Sequence, residues 1–171
     1  PGNHQSDATC EKARDIGVTF LCCFLFLHSW QFNMDRHDLF FMSWKEELVD
    51  GGDKSIFGKV DLALDMQPSW LLPQGFRQSA HRTKKNLINP LTQAKLTGEG
   101  TYSKAGTGGR FRGMFFDEFP LVKDAERIWI KSRDCSRCRI ANGTHEGTHT
   151  QFYKMTQLPA SAIVKVRMHW S

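Results

Sequence analysis

Blocks of apolar residues separated by polar segments run along this chain of 171 residues. Residues 17–32 are apolar nearly all round, which predicts a helix that is buried on several sides. Residues 38–42 are a short apolar run with a polar tail, and they predict a buried strand. Residues 43–50 predict a loop or a short helix. The first eleven residues are polar and show no strand pattern.

A second helix is predicted after Asp53, whose carboxylate can cap the helix by accepting hydrogen bonds from its first backbone N–H groups. Its apolar residues fall on one helical face. They are Ile56, Phe57, Val60 and Leu64. Pro68 and Pro73 end this helix, because proline lacks the backbone N–H group that a helix needs.

The rest of the chain predicts five more strands and one more helix. The strands lie at residues 84–89, 94–99, 111–116, 137–141 and 162–170. The helix covers residues 123–132, and turns are predicted at Pro90 and at Asn142. Strands interleaved with helices predict an α/β fold with a mainly parallel sheet. No linker-like stretch divides the chain, so we predict one domain.

Composition and charge narrow the functional classes. The chain is 40% hydrophobic, 24% charged and 12% aromatic, which is typical of a globular protein. Its formal net charge of +5 favours an acidic partner, with nucleic acid the first candidate. A basic domain without a polyanionic partner would have the same charge, so this alternative stays open.

The cysteines favour a reducing, cytoplasmic setting. Their number, five, is odd, and Cys22 and Cys23 lie inside an apolar stretch, unlike a secreted disulfide framework. Cys135 and Cys138 form a C-x-x-C pair, but no second pair lies at zinc spacing, so we do not expect a metal there. The apolar run at 16–27 is too short to cross a bilayer and predicts a buried helix.

The most informative chemical pattern is the acidic pair Asp117 and Glu118, which follows the apolar run Met114–Phe115–Phe116. Many nucleotide-hydrolysing motors have such a pair at the carboxyl end of a strand. The aspartate can hold the hydration shell of magnesium, and the glutamate can accept a proton from the attacking water. A strand that runs into a solvated turn can also end in acids, so the pair alone decides nothing.

A second pattern lies where the chain enters the first predicted helix. A loop at a helix amino end presents free backbone N–H groups and a partial positive charge to a phosphate. The usual phosphate loop ends Gly-Lys-Ser/Thr. Gly17 and Thr19 fit this ending, but Val18 occupies the lysine position. Lys12 or Arg14 could supply the cation, and the alternative is an ordinary basic helix start.

Taken together, the motifs resemble the ATPase domain of the large terminase subunit of tailed bacteriophages, the motor that packs DNA into the prohead. The matching segments, in family order, are residues 12–19, 43–50, 55–59, 87–90, 98–99, 108–110, 115–118 and 142–144. Some members of that family have the phosphate-loop lysine at the front of the loop, as Lys12 is. The resemblance implies a RecA-like P-loop NTPase fold, with a mainly parallel sheet flanked by helices.

The resemblance also implies roles for single residues. The ATP-binding loop would comprise Lys12, Ala13, Arg14, Asp15, Ile16, Gly17, Val18 and Thr19. Lys12 would contact the β- and γ-phosphates, and Thr19 and the Walker B acid Asp117 would hold Mg²⁺. Glu118 would be the general base. A third match is the coupling motif that senses the γ-phosphate, at Asn142, Gly143 and Thr144; in isolation these three residues would indicate a plain turn.

Two further basic features remain open. Arg110 follows the glycine-rich segment 106–109, and a mobile arginine can stabilise transition-state charge in its own or a neighbouring subunit, or serve structure. That segment is not a dinucleotide fingerprint, because it leads into a strand. The densest basic stretch can contact a DNA backbone or be a solvated loop. It contains Arg77, His81, Arg82, Lys84 and Lys85.

By resemblance, the chain would couple hydrolysis of Mg-ATP to translocation of double-stranded DNA in the host cytoplasm. It would act as a homo-oligomeric ring with the portal and the small terminase subunit. Three departures from the family are expected: no strand before Lys12, Thr107 where many relatives have an arginine, and no nuclease domain. We therefore predict a partial ATPase domain over 1–171. The alternatives are a truncated, non-hydrolysing remnant that binds DNA or a partner subunit, and another nucleic-acid-stimulated NTPase such as a helicase.

Overall fold

The computed structural model describes residues 6–101 and 108–168. These ranges contain eight strands: β1 (Ser6–Lys12), β2 (Leu39–Ser43), β3 (Arg82–Thr83), β4 (Asn86–Ile88), β5 (Lys95–Gly100), β6 (Gly113–Asp117), β7 (Cys138–Gly143) and β8 (Val164–Met168). They also contain six α-helices: α1 (Val18–Phe32), α2 (Glu46–Asp50), α3 (Ile56–Asp65), α4 (Gln78–His81), α5 (Ala125–Ser132) and α6 (Gln151–Gln157). A 3₁₀ turn at Phe119–Leu121 follows β6.

The strands form one sheet in the order β3-β4-β5-β2-β6-β7-β1-β8. In this spatial order, the six strands β5, β2, β6, β7, β1 and β8 pair in parallel with their neighbours. Antiparallel pairing is confined to the β3–β4 hairpin and the pairing of β4 with β5. The predicted α/β fold with a mainly parallel sheet is therefore confirmed. Because these strands are parallel, their last residues meet along one side of the sheet, which we call the carboxyl edge; in open parallel sheets, this is where ligands bind.

Helices cover both faces of the sheet. Alternate residues of a strand point to opposite faces, so Phe41 and Phe115 pack in the core under α1 and α3, while Phe40 and Phe116 pack under α5 and α6. All five residues of β2 are buried. The apolar runs that predicted buried strands therefore have core on both sides.

Strand β1 corrects the expectation that no strand precedes the phosphate loop. It lies inside the sheet, paired in parallel with β7 and β8. Its sequence is polar because one of its faces forms ion pairs: Asp7 bonds Arg139, and Glu11 bonds His145 and Arg167. Because its residues are polar, this interior strand could not be recognised from the hydrophobic pattern.

Other boundaries also differ from the prediction. Ser55, not Asp53, caps α3, because its hydroxyl accepts a hydrogen bond from the Gly58 backbone N–H at 3.0 Å. Asn142 and Gly143 belong to β7 rather than to a turn. Helix α6 was not predicted. Gly106 and Thr107 lie outside the described residues, as do the last residues of the predicted strand at 162–170.

Within the described ranges, no helix is both long and apolar enough to cross a membrane. All five cysteines are free thiols. The same ranges contain no group of three or more His, Cys, Asp or Glu side chains that could hold a metal ion, and this applies also around Cys135 and Cys138.

Candidate functional site

The loop between β1 and α1 has the geometry of a phosphate-binding loop. Strand β1 ends at Lys12, and α1 begins at Val18. Gly17 and Asp15 have left-handed backbone conformations, with φ of 83° and 61°. A β-carbon at Gly17 would meet nothing within 4 Å, so only its conformation favours glycine. No side chain caps α1, so its first N–H groups and its positive dipole end remain available to an anion.

The phosphate loop and the acidic pair meet at the carboxyl edge. The Lys12 Nζ donates a hydrogen bond to Glu118 Oε1 at 2.7 Å. The Thr19 Oγ1 donates to Asp117 Oδ1 at 2.9 Å, and the Asn142 Nδ2 donates to the same oxygen at 2.7 Å. The structure therefore brings together the three segments that the sequence analysis singled out from separate parts of the chain.

Strand register explains this meeting. Ser43 of β2 lies beside Asp117 of β6, and Asn142 of β7 lies beside Cys10 of β1. Residue pairing between β6 and β7 continues to Phe116 and Ala141, which brings Asp117 next to Asn142. Neighbours in parallel register point to the same face. Ser43, Asp117, Asn142 and Cys10 thus form one row across the sheet, which we call the polar row, beneath the amino end of α1.

Asp117 is held in an unusual electrostatic environment. Its exposed fraction is 8%. Burial is the largest of the effects that raise the pKa of its carboxyl from 3.8 to about 6, and the negative charge of Glu118 acts in the same direction. The Thr19 hydrogen bond and the charges of Lys12 and Lys59 oppose the shift. Because burial prevails, the carboxylate is poorly compensated and would gain from a nearby cation.

Glu118 has a strained backbone. Its φ of 48° and ψ of 44° lie in the left-handed region, which a non-glycine residue rarely adopts. The following turn holds it there, since the Leu121 N–H donates to the Glu118 carbonyl at 3.0 Å and Phe119 is fully buried. Strain of this kind is concentrated at functional sites. In this conformation the Glu118 side chain reaches Lys12.

Each residue of the Asn142–Thr144 motif contacts a different part of the site. Asn142 bonds Asp117. A β-carbon on Gly143 would lie 2.2 Å from Pro120 Cδ, so glycine is needed for the close approach of β7 to the turn after Glu118. The Thr144 Oγ1 donates to the Lys12 carbonyl at 3.2 Å. These contacts join the end of β7 to Asp117, to the turn after Glu118 and to the end of β1.

A separate ion-pair cluster anchors β1 from its opposite face. The Glu11 carboxylate lies 3.0 Å from His145 Nε2 and 3.1 Å from Arg167 Nε. Burial favours a higher pKa for Glu11, but the hydrogen bonds from His145 and Arg167 outweigh it and hold the pKa below its usual value. The cluster joins β1 to β8 and to the segment that follows β7.

The donor set at the carboxyl edge fits a magnesium ion. The Thr19 hydroxyl and the Asp117 carboxylate offer oxygen ligands, and Mg²⁺ is usually held by one or two carboxylates together with substrate phosphates and water. Two further oxygens, Ser43 Oγ and Asn142 Oδ1, are buried without a hydrogen-bond partner in the described part of the chain. These polar atoms can bond to a hydrated ion.

Arg110 does not join this site. It precedes β6, at the amino end of the strand whose carboxyl end carries Asp117 and Glu118. The five residues of β6 separate the two ends, roughly 16 Å of extended chain. This separation argues against action of Arg110 within its own subunit, which was one of the alternatives that the sequence left open. Its action on a neighbouring subunit stays a prediction.

The basic stretch around the β3–β4 hairpin is partly structural. The Arg82 guanidinium bonds Asp61 at 2.8 Å and Asp50 at 2.9 Å, and it stacks 4.5 Å from the Phe57 ring centroid. The positive charge of Arg82 is therefore already paired within the protein and needs no DNA phosphate as a partner. Lys85 also bonds a carboxylate, that of Glu46, at 2.8 Å.

Arg77 and Lys84 are exposed. For these two residues, contact with a DNA backbone stays a prediction. Arg14 of the phosphate loop is also exposed, whereas Lys12 is the cation that points to the acidic pair.

Ser43 and Lys59 lie in segments that carry the resemblance, but sequence reasoning assigned neither residue a role in the site. Lys59, one turn into α3, adds a positive charge that lowers the pKa of Asp117. Ser43 ends the apolar strand β2. A polar residue directly after an apolar strand was the available signal, and it is the same signal that found Asp117.

The fold and the site together place the chain in a known structural class. A mainly parallel sheet, a phosphate-type loop between β1 and α1, and an acidic pair at the tip of β6 with one strand between them are the features of a P-loop NTPase fold.

Solved structures with this fold give the particular relatives. The large terminase from a thermophilic bacteriophage has a TM-score of 0.70 and 13% sequence identity, over 98% of this chain and 41% of that chain. The same protein in complex with ATP-gamma-S has a TM-score of 0.66 and 14% sequence identity, over 98% of this chain and 40% of that chain. The large terminase ATPase domain of Thermus phage P74-26 has a TM-score of 0.60 and 11% sequence identity, over 98% of this chain and 76% of that chain.

No protein-family model and no curated protein sequence matches this chain. At identities of 11–14% the likeness to solved structures shows the fold. That fold is the one seen in the ATPase domains of phage large terminases. The chain spans 41% of the length of the terminase from the thermophilic bacteriophage.

Proposed function

We propose that this chain is an ATPase module that binds Mg-ATP and couples its hydrolysis to the movement of double-stranded DNA, as the motor part of a phage large terminase. The observation that carries the proposal is the convergence of Lys12, Thr19, Asp117, Glu118 and Asn142 at the carboxyl edge. The solved terminases of the same fold, one of them in complex with ATP-gamma-S, support it.

The contacts suggest how these residues would divide the chemistry. Phosphates bound at the amino end of α1 would compete with Glu118 for the Lys12 ammonium, because both are anionic partners of one cation. Glu118, released from Lys12, would accept the proton of the attacking water. Thr19 and Asp117 would hold Mg²⁺, which neutralises charge on the phosphate oxygens. Asn142, which bonds Asp117, would pass the change on to the rest of β7.

The proposal can be tested with Glu118→Gln. The glutamine side chain keeps the size and a hydrogen-bonding oxygen but cannot accept a proton, so turnover of Mg-ATP should fall by about 10²–10⁴-fold while nucleotide binding survives. Turnover is measured by phosphate release, and binding by titration with a fluorescent ATP analogue. An unmutated chain that fails to bind ATP at millimolar concentration would contradict the proposal.

Partners belong to the same proposal. As part of a terminase, the module would work on DNA in a ring of like subunits, with the portal and the small terminase subunit. Arg77 and Lys84, exposed on the β3–β4 side, are the candidates for DNA contact. The remnant alternative depended on a missing strand before the phosphate loop. Since β1 occupies that position, this argument for it no longer holds.

A further inference from the structure

Two buried oxygen atoms on either side of Asp117 lack hydrogen-bond partners. Among the residues that the structure describes, Ser43 Oγ and Asn142 Oδ1 are unbonded, although Ser43 and Asn142 are both completely buried. A buried polar atom without a partner is costly, and native proteins usually satisfy it with water or an ion. A water molecule or a hydrated ion could supply the missing partner of both atoms.

The positions of these two atoms are related. Ser43 and Asn142 belong to the polar row and flank Asp117 on strands β2 and β7. Side chains of adjacent parallel strands point to the same face and lie about 5 Å apart. The Ser43 hydroxyl, the Asp117 carboxylate and the Asn142 amide thus lie side by side on the face of the sheet that Thr19 contacts.

We propose that Ser43 is a positioning residue for magnesium: its hydroxyl, together with the Asn142 amide oxygen, binds water of the hydration shell that Asp117 and Thr19 attract. This inference rests on the proposed function, since it concerns the same site. Mg²⁺ retains several water molecules when it binds to proteins, and these waters donate hydrogen bonds outward. A hydroxyl oxygen and an amide oxygen are suitable acceptors for such donors.

A third orphan oxygen provides an internal comparison. Thr9 Oγ1 is equally buried and unbonded in the described ranges. However, Thr9 precedes Cys10 on β1 and so points to the opposite face from the polar row. Ser132 offers the opposite comparison: its buried hydroxyl donates to the Trp129 carbonyl and accepts from Arg139, each at 3.0 Å.

The test compares Ser43→Ala with Thr9→Val and Ser132→Ala in the full chain. The first readout is the denaturant midpoint of unfolding without nucleotide or Mg²⁺. The second is the affinity for ADP as a function of Mg²⁺ concentration, with EDTA as the zero point.

We expect Ser43→Ala to keep or raise the unfolding midpoint, because it removes an unsatisfied polar atom. The Mg²⁺ concentration that gives half of the gain in ADP affinity should rise about tenfold, as is usual when a residue behind a metal ligand is removed. Thr9→Val should keep or raise the midpoint with no change in Mg²⁺ dependence. Ser132→Ala should lower the midpoint, also with no change in Mg²⁺ dependence.

Two results would overturn the inference alone: Mg²⁺ dependence in Ser43→Ala equal to that of the unmutated chain, or a loss of midpoint as large as in Ser132→Ala. The second result would show that the hydroxyl has an ordinary structural partner. If the unmutated chain binds no ADP with or without Mg²⁺, the proposed function fails, and this inference fails with it.

Discussion

Two charged clusters in this molecule are built from similar groups but differ in how well they are satisfied. At the β3–β4 side, Arg82 bonds both Asp50 and Asp61, and the Lys85 backbone N–H also donates to Asp50. At the carboxyl edge, Asp117 has Thr19 and Asn142 as neutral donors. The first cluster pairs one cation with two carboxylates, whereas the second leaves a buried carboxylate without a directly bonded cation among the described residues.

Their pKa values show the same contrast. Although burial alone would raise the pKa of Asp50, the Arg82 and Lys85 hydrogen bonds hold it below its ordinary value. At Asp117 burial dominates, and the pKa rises to about 6. Asp50 is compensated within the protein, whereas the charge of Asp117 would be stabilised by a cationic ligand. A high number of charged residues in a segment therefore does not by itself indicate a ligand site. A buried charge that the protein leaves incompletely paired is the more informative feature.

Of the substitutions that test the contrast between the two clusters, Asp117→Asn should change stability and turnover most. Because folding raises the pKa of Asp117 from 3.8 to about 6, its favourable contribution to stability is fully present below pH 3.8 and is lost as the pH rises through about 6. The uncharged variant should therefore gain stability relative to the unmutated chain between about pH 4 and pH 8, by at most about 3 kcal/mol. Denaturant unfolding of both proteins at the two pH values measures this difference.

The same substitution should lower Mg-ATP turnover by about 100-fold or more, since it removes a charged metal ligand. In the unmutated chain, kcat/KM for ATP should fall as the pH drops below about 6, where Asp117 becomes protonated. A variant that loses stability at about pH 8, or a kcat/KM that is flat from about pH 5 to 8, would mean that Asp117 is already compensated.

Arg82→Ala tests the satisfied cluster. Removing one partner of a buried ion pair leaves uncompensated charges, and here two carboxylates would remain, so we expect a loss of about 3 kcal/mol in the free energy of unfolding. The KM for ATP should not change at a temperature where the variant is folded. Arg77→Ala is the matched control, because Arg77 is exposed and should alter stability by less than about 0.5 kcal/mol. Equal losses in the two variants would remove the distinction between the clusters.

Gly143→Ala concerns a smaller effect, the close packing that joins β7 to the turn after Glu118. An added methyl group would overlap Pro120, whose Cδ would be 2.2 Å away, so the turn after Glu118 must shift. We expect about 1–3 kcal/mol of destabilisation, with kcat lowered more than nucleotide affinity. Gly108→Ala, where φ is not in the left-handed region and a β-carbon would meet nothing within 4 Å, serves as the control for the added methyl group alone. Unchanged kcat in Gly143→Ala would argue against mechanical coupling through this contact.

The class of the fold could be predicted from the sequence, and so could several residues that the structure brings together in the candidate site. Apolar runs such as residues 38–42 and 111–116 indicated buried strands because only a fully covered strand is apolar at nearly every position. The Asp117–Glu118 pair and Lys12 were identified because their types and order are informative before folding. The structure places all three at one edge.

Features that depend on neighbours distant in sequence became visible only in the folded chain. The polar strand β1 could not be recognised, because its charges are satisfied by Arg139, His145 and Arg167, which follow it far along the chain. Arg82 and Arg110 look alike as basic residues. The fold makes Arg82 the centre of an ion-pair cluster and places Arg110 at the opposite edge of the sheet from Glu118. The local hydrophobic pattern indicates whether a residue is buried. Which charges pair with one another, and which residues lie side by side on neighbouring strands, is decided only when the sheet forms.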